Sequence, residues 1–335
     1  MLVIAIVAVG SVSAAENVTT DIAGNDIEEI NADEVAIDDV STDDADEGND
    51  EIVSQSNDQT VDSSMNSSQI DYVISQVSGA GGGTVTFSSG TYYNMNLTLK
   101  SNVALLADGA VYLVGNRQNH VIEVANVENF TISGFSIDAR YIEGISSNVS
   151  AIHGSFATNG VIKNNVLYEG YNGININKKY DNLTIENNTI MGVRYDGISL
   201  ANPQNNDYYD TIIGVTLRNN DISSGSYGIF IGGTFKGSIS DNKIRYSNCG
   251  IQFLGKPDAT SGHLNATLYN NNISYVSVGI EMFHPDVRYL NLTSNYISVY
   301  SPNYDYAIST NGDYDEDANP ILVNNTIYGL ISSDF

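Results

Sequence analysis

The sequence predicts an all-β protein: a parallel β-solenoid with an N-terminal capping helix, preceded by a disordered acidic leader. Three observations predict this architecture. An apolar unit centred on Asn recurs seven times after residue 160, a second unit of Gly followed by alternating residues recurs between its copies, and acidic residues crowd the chain before residue 70. No helical periodicity of useful length interrupts the repeats, so strands should dominate the body of the chain.

The first 67 residues are predicted to form a signal peptide and a spacer. Residues 1–15 combine an apolar run with small residues, as secretory signal peptides do, and the run is too short to span a bilayer. Residues 16–69 contain 17 Asp or Glu and no Lys or Arg. Low hydrophobicity and charge repulsion therefore predict a disordered linker over 16–67. We expect a secreted or cell-surface protein whose mature chain does not insert into a membrane.

The overall composition narrows the function classes. With 40 acidic and 13 basic side chains, the net charge of −27 disfavours a nucleic-acid partner, which requires a basic surface. A single cysteine among 335 residues excludes a disulfide framework and a multi-thiolate metal site. The four His show no metal-ligand spacing, so no resident metal or cofactor is predicted.

The repeats define the coils of the solenoid. Each copy of the first unit has an apolar residue, two spacers, Asn, one spacer and a second apolar residue. Coils of a β-solenoid stack at about 4.8 Å, so like residues should form columns, and the Asn should form a hydrogen-bonded structural ladder. The predicted ladder comprises Asn165, Asn188, Asn220, Asn242, Asn271, Asn295 and Asn325. The Gly of the second unit recurs at Gly173, Gly197, Gly228, Gly250 and Gly279.

The segment before the repeats contains a predicted helix and a first coil. Ser68 and Asp71 fit the capping-box-like start of an amphipathic helix, whose apolar face contains Ile70, Val73, Ile74 and Val77. A Gly-rich run leads from this helix into a first coil, which comprises Gly79–Phe87, Gly90–Tyr92 and Leu97–Val103. Together with the repeats, this pattern resembles the right-handed parallel β-helix of the pectin-lyase-like superfamily, and its first coil is similar to that of polygalacturonases and pectate-lyase-like proteins. The resemblance implies a single-stranded right-handed β-helix over 68–335, capped by the helix.

A hydrolase of that superfamily is disfavoured by the residues present. Polygalacturonase-like coils carry Asn-Thr-Asp, Asp-Asp and Gly-His-Gly, of which only Asp196 is matched here. Glycoside hydrolysis needs two carboxyl groups about 5–9.5 Å apart. Neither the column of Asp196 nor the next outward column supplies such a pair; the outward column should contain His153, Asn175, Ser199, Phe230, Gln252, Glu281 and Ser309.

A polysaccharide lyase is the alternative enzyme class. Its candidate catalytic residues lie on neighbouring coils, with Arg140 or Arg194 as base or carboxylate clamp and His153 as acid/base, and a lyase of this kind often uses calcium to neutralise the substrate carboxylate. These candidates are Asp138, Arg140, His153, Arg194 and Asp196. A purely structural interpretation stays open, in which Asp138 and Arg140 form a turn contact and Arg194 pairs with Asp196.

The favoured interpretation is a non-catalytic role in carbohydrate binding or cell-surface interaction. The chain has 22 Tyr, and tyrosines can stack on sugar rings. Candidate substrate-binding residues are Tyr171, Tyr195, Tyr227 and Glu281. Eleven Asn-x-Ser/Thr sequons permit glycosylation of an exported chain. The chain combines a predicted acidic stalk with an Asn-ladder solenoid and lacks the hydrolase residues. In this combination it resembles adhesin-like surface proteins, which implies an extracellular polysaccharide or surface glycan as partner. A structural envelope component is the second alternative.

Overall fold

The computed structural model describes residues 57–144, 148–200, 212–233, 235–254, 263–283, 286–311 and 321–332. The predicted signal segment and residues 16–56 of the predicted linker lie outside these residues. Within the described residues, no helix has the length and apolar character that crossing a membrane requires.

One helix and 26 strands make up the described chain. Helix α1 spans Ser67–Gly79. The strands are β1 (Gln59–Val61), β2 (Gly83–Met95), β3 (Leu97–Thr98), β4 (Val103–Gly115), β5 (Ile122–Ser133), β6 (Ser136–Asp138), β7 (Ser150–Lys163), β8 (Val166–Tyr168), β9 (Asn172–Glu186), β10 (Thr189–Val193), β11 (Ile198–Leu200), β12 (Ile212–Arg218), β13 (Asp221–Ser224), β14 (Tyr227–Gly232), β15 (Phe235–Ser240), β16 (Lys243–Arg245), β17 (Cys249–Leu254), β18 (His263–Tyr269), β19 (Asn272–Val276), β20 (Val278–Phe283), β21 (Asp286–Thr293), β22 (Tyr296–Val299), β23 (Tyr306–Asn311), β24 (Ile321–Val323), β25 (Thr326–Tyr328) and β26 (Leu330–Ile331).

The strands wind into coils, and each strand pairs in parallel with its counterpart on the next coil. Three stacks of strands result. Stack 1 runs through β6, β8, β10, β13, β16, β19, β22 and β25. Stack 2 contains β11, β14, β17, β20, β23 and the first residues of β5, β7 and β9, whereas stack 3 contains β12, β15, β18, β21, β24 and the last residues of those three long strands. The predicted fold, a right-handed parallel β-helix, is confirmed.

Three aliphatic columns fill the interior, one from each stack. Inward positions pair with inward positions on the next coil, so buried Ile and Leu repeat without interruption along the axis. The column of stack 2 runs through Ile122, Ile152, Ile174, Ile198, Ile229, Ile251, Ile280 and Ile308. The alternate residues of the same strands therefore point outward, and these outward residues build the candidate site.

The Asn of the first repeat form a continuous internal ladder at the turn between stacks 3 and 1. Each side-chain Nδ2 donates to Oδ1 of the Asn on the next coil, at 3.0 Å for Asn165 to Asn188, for Asn188 to Asn220 and for Asn220 to Asn242. The contacts continue through Asn271 and Asn295 to Asn325. Each Nδ2 also donates to a backbone carbonyl oxygen, so the amides satisfy one another and the buried turns.

The glycines that open the strands of stack 2 lie where any side chain would collide with the next coil. A Cβ built on Gly173 would lie 2.7 Å from the carbonyl oxygen of Gly197 and 2.5 Å from Cγ2 of Ile190. Both neighbours belong to the packed core, so neither can withdraw without cost. The repeated Gly is therefore a steric requirement of the coil.

We expect Gly173→Ala to lower the free energy of unfolding by about 2 kcal/mol, the usual cost of overpacking a core. Gly79→Ala is the matched control, because a Cβ on Gly79 meets no atom within 4 Å. Urea denaturation followed by circular dichroism measures both variants. Equal stability of the two variants would contradict the steric explanation.

The N-terminal cap differs from the prediction in two details. The capping box is formed by Asn66 and Gln69, not by Ser68 and Asp71: the Asn66 side chain accepts from the Gln69 N–H at 3.1 Å, and the Gln69 side chain accepts from the Asn66 N–H at 2.9 Å. Asp71 instead accepts from the N–H of Thr98 at 2.8 Å and ties the helix to β3. Strand β1 pairs with β2, so the β-helix begins upstream of residue 68.

Candidate functional site

A cleft of about 840 Å³ lies over the outward side of stack 2. Its floor consists of side chains that alternate with the buried Ile column, and one wall consists of the turn residues that precede each strand. It is lined by His120, Asn148, His153, Ser155, Tyr171, Asn172, Asn175, Asn177, Lys178, Tyr195, Asp196, Ser199, Tyr227, Phe230, Gln252, Leu254 and Phe283.

The floor follows the predicted outward column from His153 to Gln252. Strand register places the residues of the whole column on successive coils in the order His153, Asn175, Ser199, Phe230, Gln252, Glu281 and Ser309. The column extends one coil further towards the N-terminus, because Glu123 is the partner of His153. Sequence reasoning missed Glu123, although reading the same column one rung further would have found it.

Glu123 and His153 form a carboxylate–imidazole pair at one end of the cleft. Nδ1 of His153 lies 3.0 Å and 2.9 Å from the two carboxylate oxygens of Glu123. A carboxylate only accepts, so Nδ1 carries the proton and donates it to Glu123. Nε2 of His153 then presents its lone pair and accepts from Nδ2 of Asn177 at 3.3 Å. The pair holds the imidazole in the tautomer that a general base requires.

His120 lies against this pair as a second, neutral imidazole. Its ring stacks on that of His153 with centroids 3.9 Å apart and planes 8° apart. Burial, with a smaller contribution from His153, lowers the pKa of His120 to about 4. Nδ1 of His120 accepts the backbone N–H of Ser150 at 3.0 Å. His120 therefore packs and positions His153 and carries no charge at neutral pH.

Asp196 is the buried carboxyl group of the cleft, with only 3% of its surface exposed. Burial raises the pKa of Asp196 to about 7, although hydrogen bonds from the Ser199 hydroxyl and the Tyr227 N–H oppose the shift. Its Oδ1 has no hydrogen-bond partner within the described part of the chain. Asp196 is therefore a proton donor or acceptor near neutral pH, and a cleft is where such groups often function.

Aromatic rings on three successive coils line the cleft beside Asp196. Tyr171 and Tyr195 stack with centroids 5.2 Å apart and planes 9° apart. Tyr195 contacts Tyr227 edge to face at 6.1 Å, and Tyr227 contacts Phe230 at 5.3 Å. We call Tyr171, Tyr195, Tyr227 and Phe230 the aromatic ladder. The three tyrosines are among the predicted substrate-binding residues, and all three line the cleft.

The structure brings together only some of the predicted site residues. His153 and Asp196 line the cleft, whereas Asp138, Arg140, Arg194 and Glu281 are not among its lining residues. Asp138 accepts from the backbone N–H of Arg140 at 2.9 Å, which is the turn contact of the structural interpretation. Glu281 accepts a hydrogen bond from Gln252, which lines the cleft.

Arg194 is not paired with Asp196. Its guanidinium lies 2.8 Å from the carboxylate of Glu143, and both side chains are largely exposed. An exposed arginine occupied by a carboxylate is poorly placed to act as a catalytic base over stack 2. The predicted ion pair is therefore wrong, and Asp196 lacks the cation that would have lowered its pKa.

One family profile matches the chain. It is described as "Periplasmic copper-binding protein (NosD)" and matches residues 114–300, more than half of the 335 residues. The chain belongs to this NosD family. The matched segment includes the whole aromatic ladder, Asp196 and the Glu123–His153 pair of the NosD-family chain.

No curated protein sequence is significantly similar to this NosD-family chain. Among solved structures, the Streptococcus pneumoniae surface protein and adhesin PfbA has a TM-score of 0.51 at 16% identity, covering 79% of this chain and 94% of PfbA. The tailspike protein of E. coli bacteriophage HK620, solved with a pentasaccharide, has a TM-score of 0.51 at 14% identity, covering 80% and 61%. The A-module of the Azotobacter vinelandii mannuronan C-5 epimerase AlgE4 has a TM-score of 0.49 at 16% identity, covering 81% and 96%. The PfbA and tailspike structures, with TM-scores above 0.5, share the parallel β-helix fold of the NosD-family chain.

The NosD description names copper, and three described side chains of the cleft region could share a cation: His120, Glu123 and His153 have ligand atoms within 4.8 Å of one another. An imidazole nitrogen binds a metal in the plane of its own ring. The two rings are nearly parallel and their centroids are 3.9 Å apart, so one ion cannot lie in both planes. Nδ1 of His120 already accepts the Ser150 N–H. In this arrangement the three side chains do not fit a copper ion.

Proposed function

We propose that the protein binds a polysaccharide outside the cytoplasm, in the cleft over stack 2. The observation that carries this proposal is the aromatic ladder, which extends an apolar strip over several coils. The carbon–hydrogen faces of sugar rings pack against such rings, while sugar hydroxyl groups bond to the neighbouring amides. The periplasmic description of the NosD family supports a location outside the cytoplasm. PfbA, of the same fold, is described as a surface protein and adhesin, which agrees with a non-catalytic binding role.

Tyr195 is the central tyrosine of the ladder, and 40% of its surface is exposed. We expect Tyr195→Ala to weaken binding of a retained polysaccharide about five- to thirtyfold, because a buried aromatic contact contributes on the order of 1–2 kcal/mol. Isothermal titration calorimetry of the full chain against a polysaccharide panel measures this change.

Tyr246→Ala is the matched control. Tyr246 stacks on Tyr275 at 5.3 Å and is 56% exposed, but it does not line the cleft. The Tyr246→Ala variant should leave the dissociation constant for the polysaccharide unchanged. Equal losses in both variants, or no effect of Tyr195→Ala, would contradict the assignment of the ladder. A chain that retains no polysaccharide would instead favour a structural role in the cell envelope.

A lyase is the second candidate, favoured by the raised pKa of Asp196 in the same cleft as the Glu123–His153 pair. In β-elimination, Nε2 of His153 would remove the C5 proton of a uronate, the C4–O bond would break as the C4–C5 double bond forms, and Asp196 would protonate the departing oxygen. The register places His153 and Ser199, near Asp196, two coils apart, or about 10 Å. Calcium or Lys178 would neutralise the substrate carboxylate.

The same panel, with calcium or with a chelator, tests this candidate by ultraviolet absorbance of unsaturated products and by release of reducing ends. Turnover that disappears in Asp196→Asn, while binding persists, would support the lyase. Binding without turnover in every condition would exclude it.

A further inference from the structure

Resting on the binding function proposed above, we infer that the polysaccharide in the cleft is uncharged. Unpartnered acceptor atoms in the cleft, the neutral character of its lining and the charge around it independently indicate an uncharged ligand rather than a uronate polymer.

Two cleft residues present acceptor atoms that lack donors. Oδ1 of Asn175 and Oδ1 of Asp196 are shielded from solvent and have no hydrogen-bond partner within the described residues. An unsatisfied buried acceptor costs about 1–3 kcal/mol, so a ligand that donates to it gains that amount on binding. A hydroxyl group can donate to the Asn175 oxygen and to the ionised Asp196 carboxylate, whereas a uronate carboxylate only accepts. At these two atoms a hydroxyl group is therefore favoured over a carboxylate.

The remaining polar lining is neutral. It consists of amide and hydroxyl side chains, which both donate and accept and so match sugar hydroxyl groups without demanding a charge. These side chains are Asn148, Ser155, Asn172, Asn177, Ser199 and Gln252. His120 is uncharged at neutral pH, since burial lowers its pKa to about 4.

Cations that could hold a carboxylate are scarce at the cleft. Lys178 is the one Lys or Arg among its described lining residues, and its ammonium lies 5.3 Å from the centroid of the Phe156 ring. Arg194, next in the chain to the lining residue Tyr195, pairs with Glu143 and does not line the cleft. A uronate polymer places a carboxylate on every residue, and one lysine cannot neutralise several of them.

The described carboxyl groups beside the cleft add negative charge. Glu123 lies 2.9 Å from Nδ1 of His153 and Glu281 accepts a hydrogen bond from Gln252, and both His153 and Gln252 line the cleft. At physiological salt, charges repel over about 8 Å, so an acidic polymer approaching this face meets repulsion. An uncharged polymer does not.

The test measures binding of the full chain to uncharged oligosaccharides (β-glucan, galactomannan and chitin fragments) and to oligogalacturonate and oligoalginate of equal length. Each titration is run at low and high salt, with calcium and with a chelator. We expect an uncharged oligosaccharide to bind with a dissociation constant that salt and calcium leave unchanged. Tighter binding of either uronate oligomer, with or without calcium, would overturn this inference and leave the proposed binding function standing. Absence of all binding would overturn both.

Substitutions at Asn175 sharpen the result. Asn175→Ala removes the unpartnered acceptor and should weaken binding of the uncharged ligand about tenfold, the equivalent of one hydrogen bond. Asn175→Asp keeps an acceptor oxygen and should retain binding, although it adds a negative charge. Asn272→Ala, at an exposed position on β19 of stack 1 that does not line the cleft, is the control. Loss of binding in Asn175→Asp as large as in Asn175→Ala would contradict the role of the acceptor.

Discussion

Asn220→Ala is expected to destabilise the β-helix by at least about 4 kcal/mol, because it removes four hydrogen bonds from the buried ladder. Nδ2 of Asn220 donates to the carbonyl oxygen of Ile185 at 2.9 Å and to Oδ1 of Asn242 at 3.0 Å. Its Oδ1 accepts from the backbone N–H and from Nδ2 of Asn188, each at 3.0 Å. The substitution leaves the Ile185 carbonyl and two Asn188 donors without partners, and each such group costs about 1–3 kcal/mol.

Urea denaturation followed by circular dichroism measures the loss, with Asn119→Ala as an exposed control for the same chemical change. Asn325→Ala provides a second comparison, because the contacts of Asn325 at the last described rung are only partly buried and water can replace them. We expect a clearly smaller loss at Asn325. Equal losses at Asn220 and Asn325 would show that burial does not set the strength of the ladder.

Asp196→Asn should change the pH dependence of stability. The pKa of Asp196 is about 7 in the folded protein and about 3.9 in an unfolded chain. At pH values between about 4 and 7, folded Asp196 holds a proton that the unfolded chain has released. The contribution of Asp196 to the free energy of unfolding therefore falls as pH rises from about 4 to 7 and is constant above that. A difference of about 3 pKa units corresponds to about 4 kcal/mol. Asn cannot ionise, so the variant should gain about that amount relative to the native chain across this range.

Urea titrations of the native chain and of Asp196→Asn at pH values from 4 to 8 measure the gap between their unfolding free energies. Taking the difference removes the contributions of the other acidic groups. A gap that is constant with pH would contradict the raised pKa. Because Asn would be less costly in this position above pH 7, retaining a carboxyl group there favours a functional use of Asp196.

The sequence predicts the columns of this fold well, because coils stack at one spacing and like residues must then coincide. It predicts the helix cap less well. The spacing of a capping box fits both Ser68 with Asp71 and Asn66 with Gln69, and only tertiary contacts decide between them. Asp71 is engaged by the Thr98 N–H on β3, which leaves Asn66 and Gln69 to cap the helix.

The candidate site, too, could be predicted only in part from the sequence. The outward column, including His153, follows from strand register, and the tyrosines of the wall lie one or two residues before the repeated Gly. The partner of Arg194 does not follow, because Glu143 lies 51 residues away in a segment outside the stacks. The raised pKa of Asp196 could not be predicted either, since it depends on burial and on the absence of that arginine.

The spacing of the Asn ladder has a consequence for how such proteins diversify. Successive ladder residues are 23, 32, 22, 29, 24 and 30 residues apart, yet every rung stays in register. The additional residues lie in the chain mainly between a strand of stack 2 and the following strand of stack 3. Insertions at that point leave every core column in place. The length of a coil can therefore change while the scaffold evolves under separate constraints.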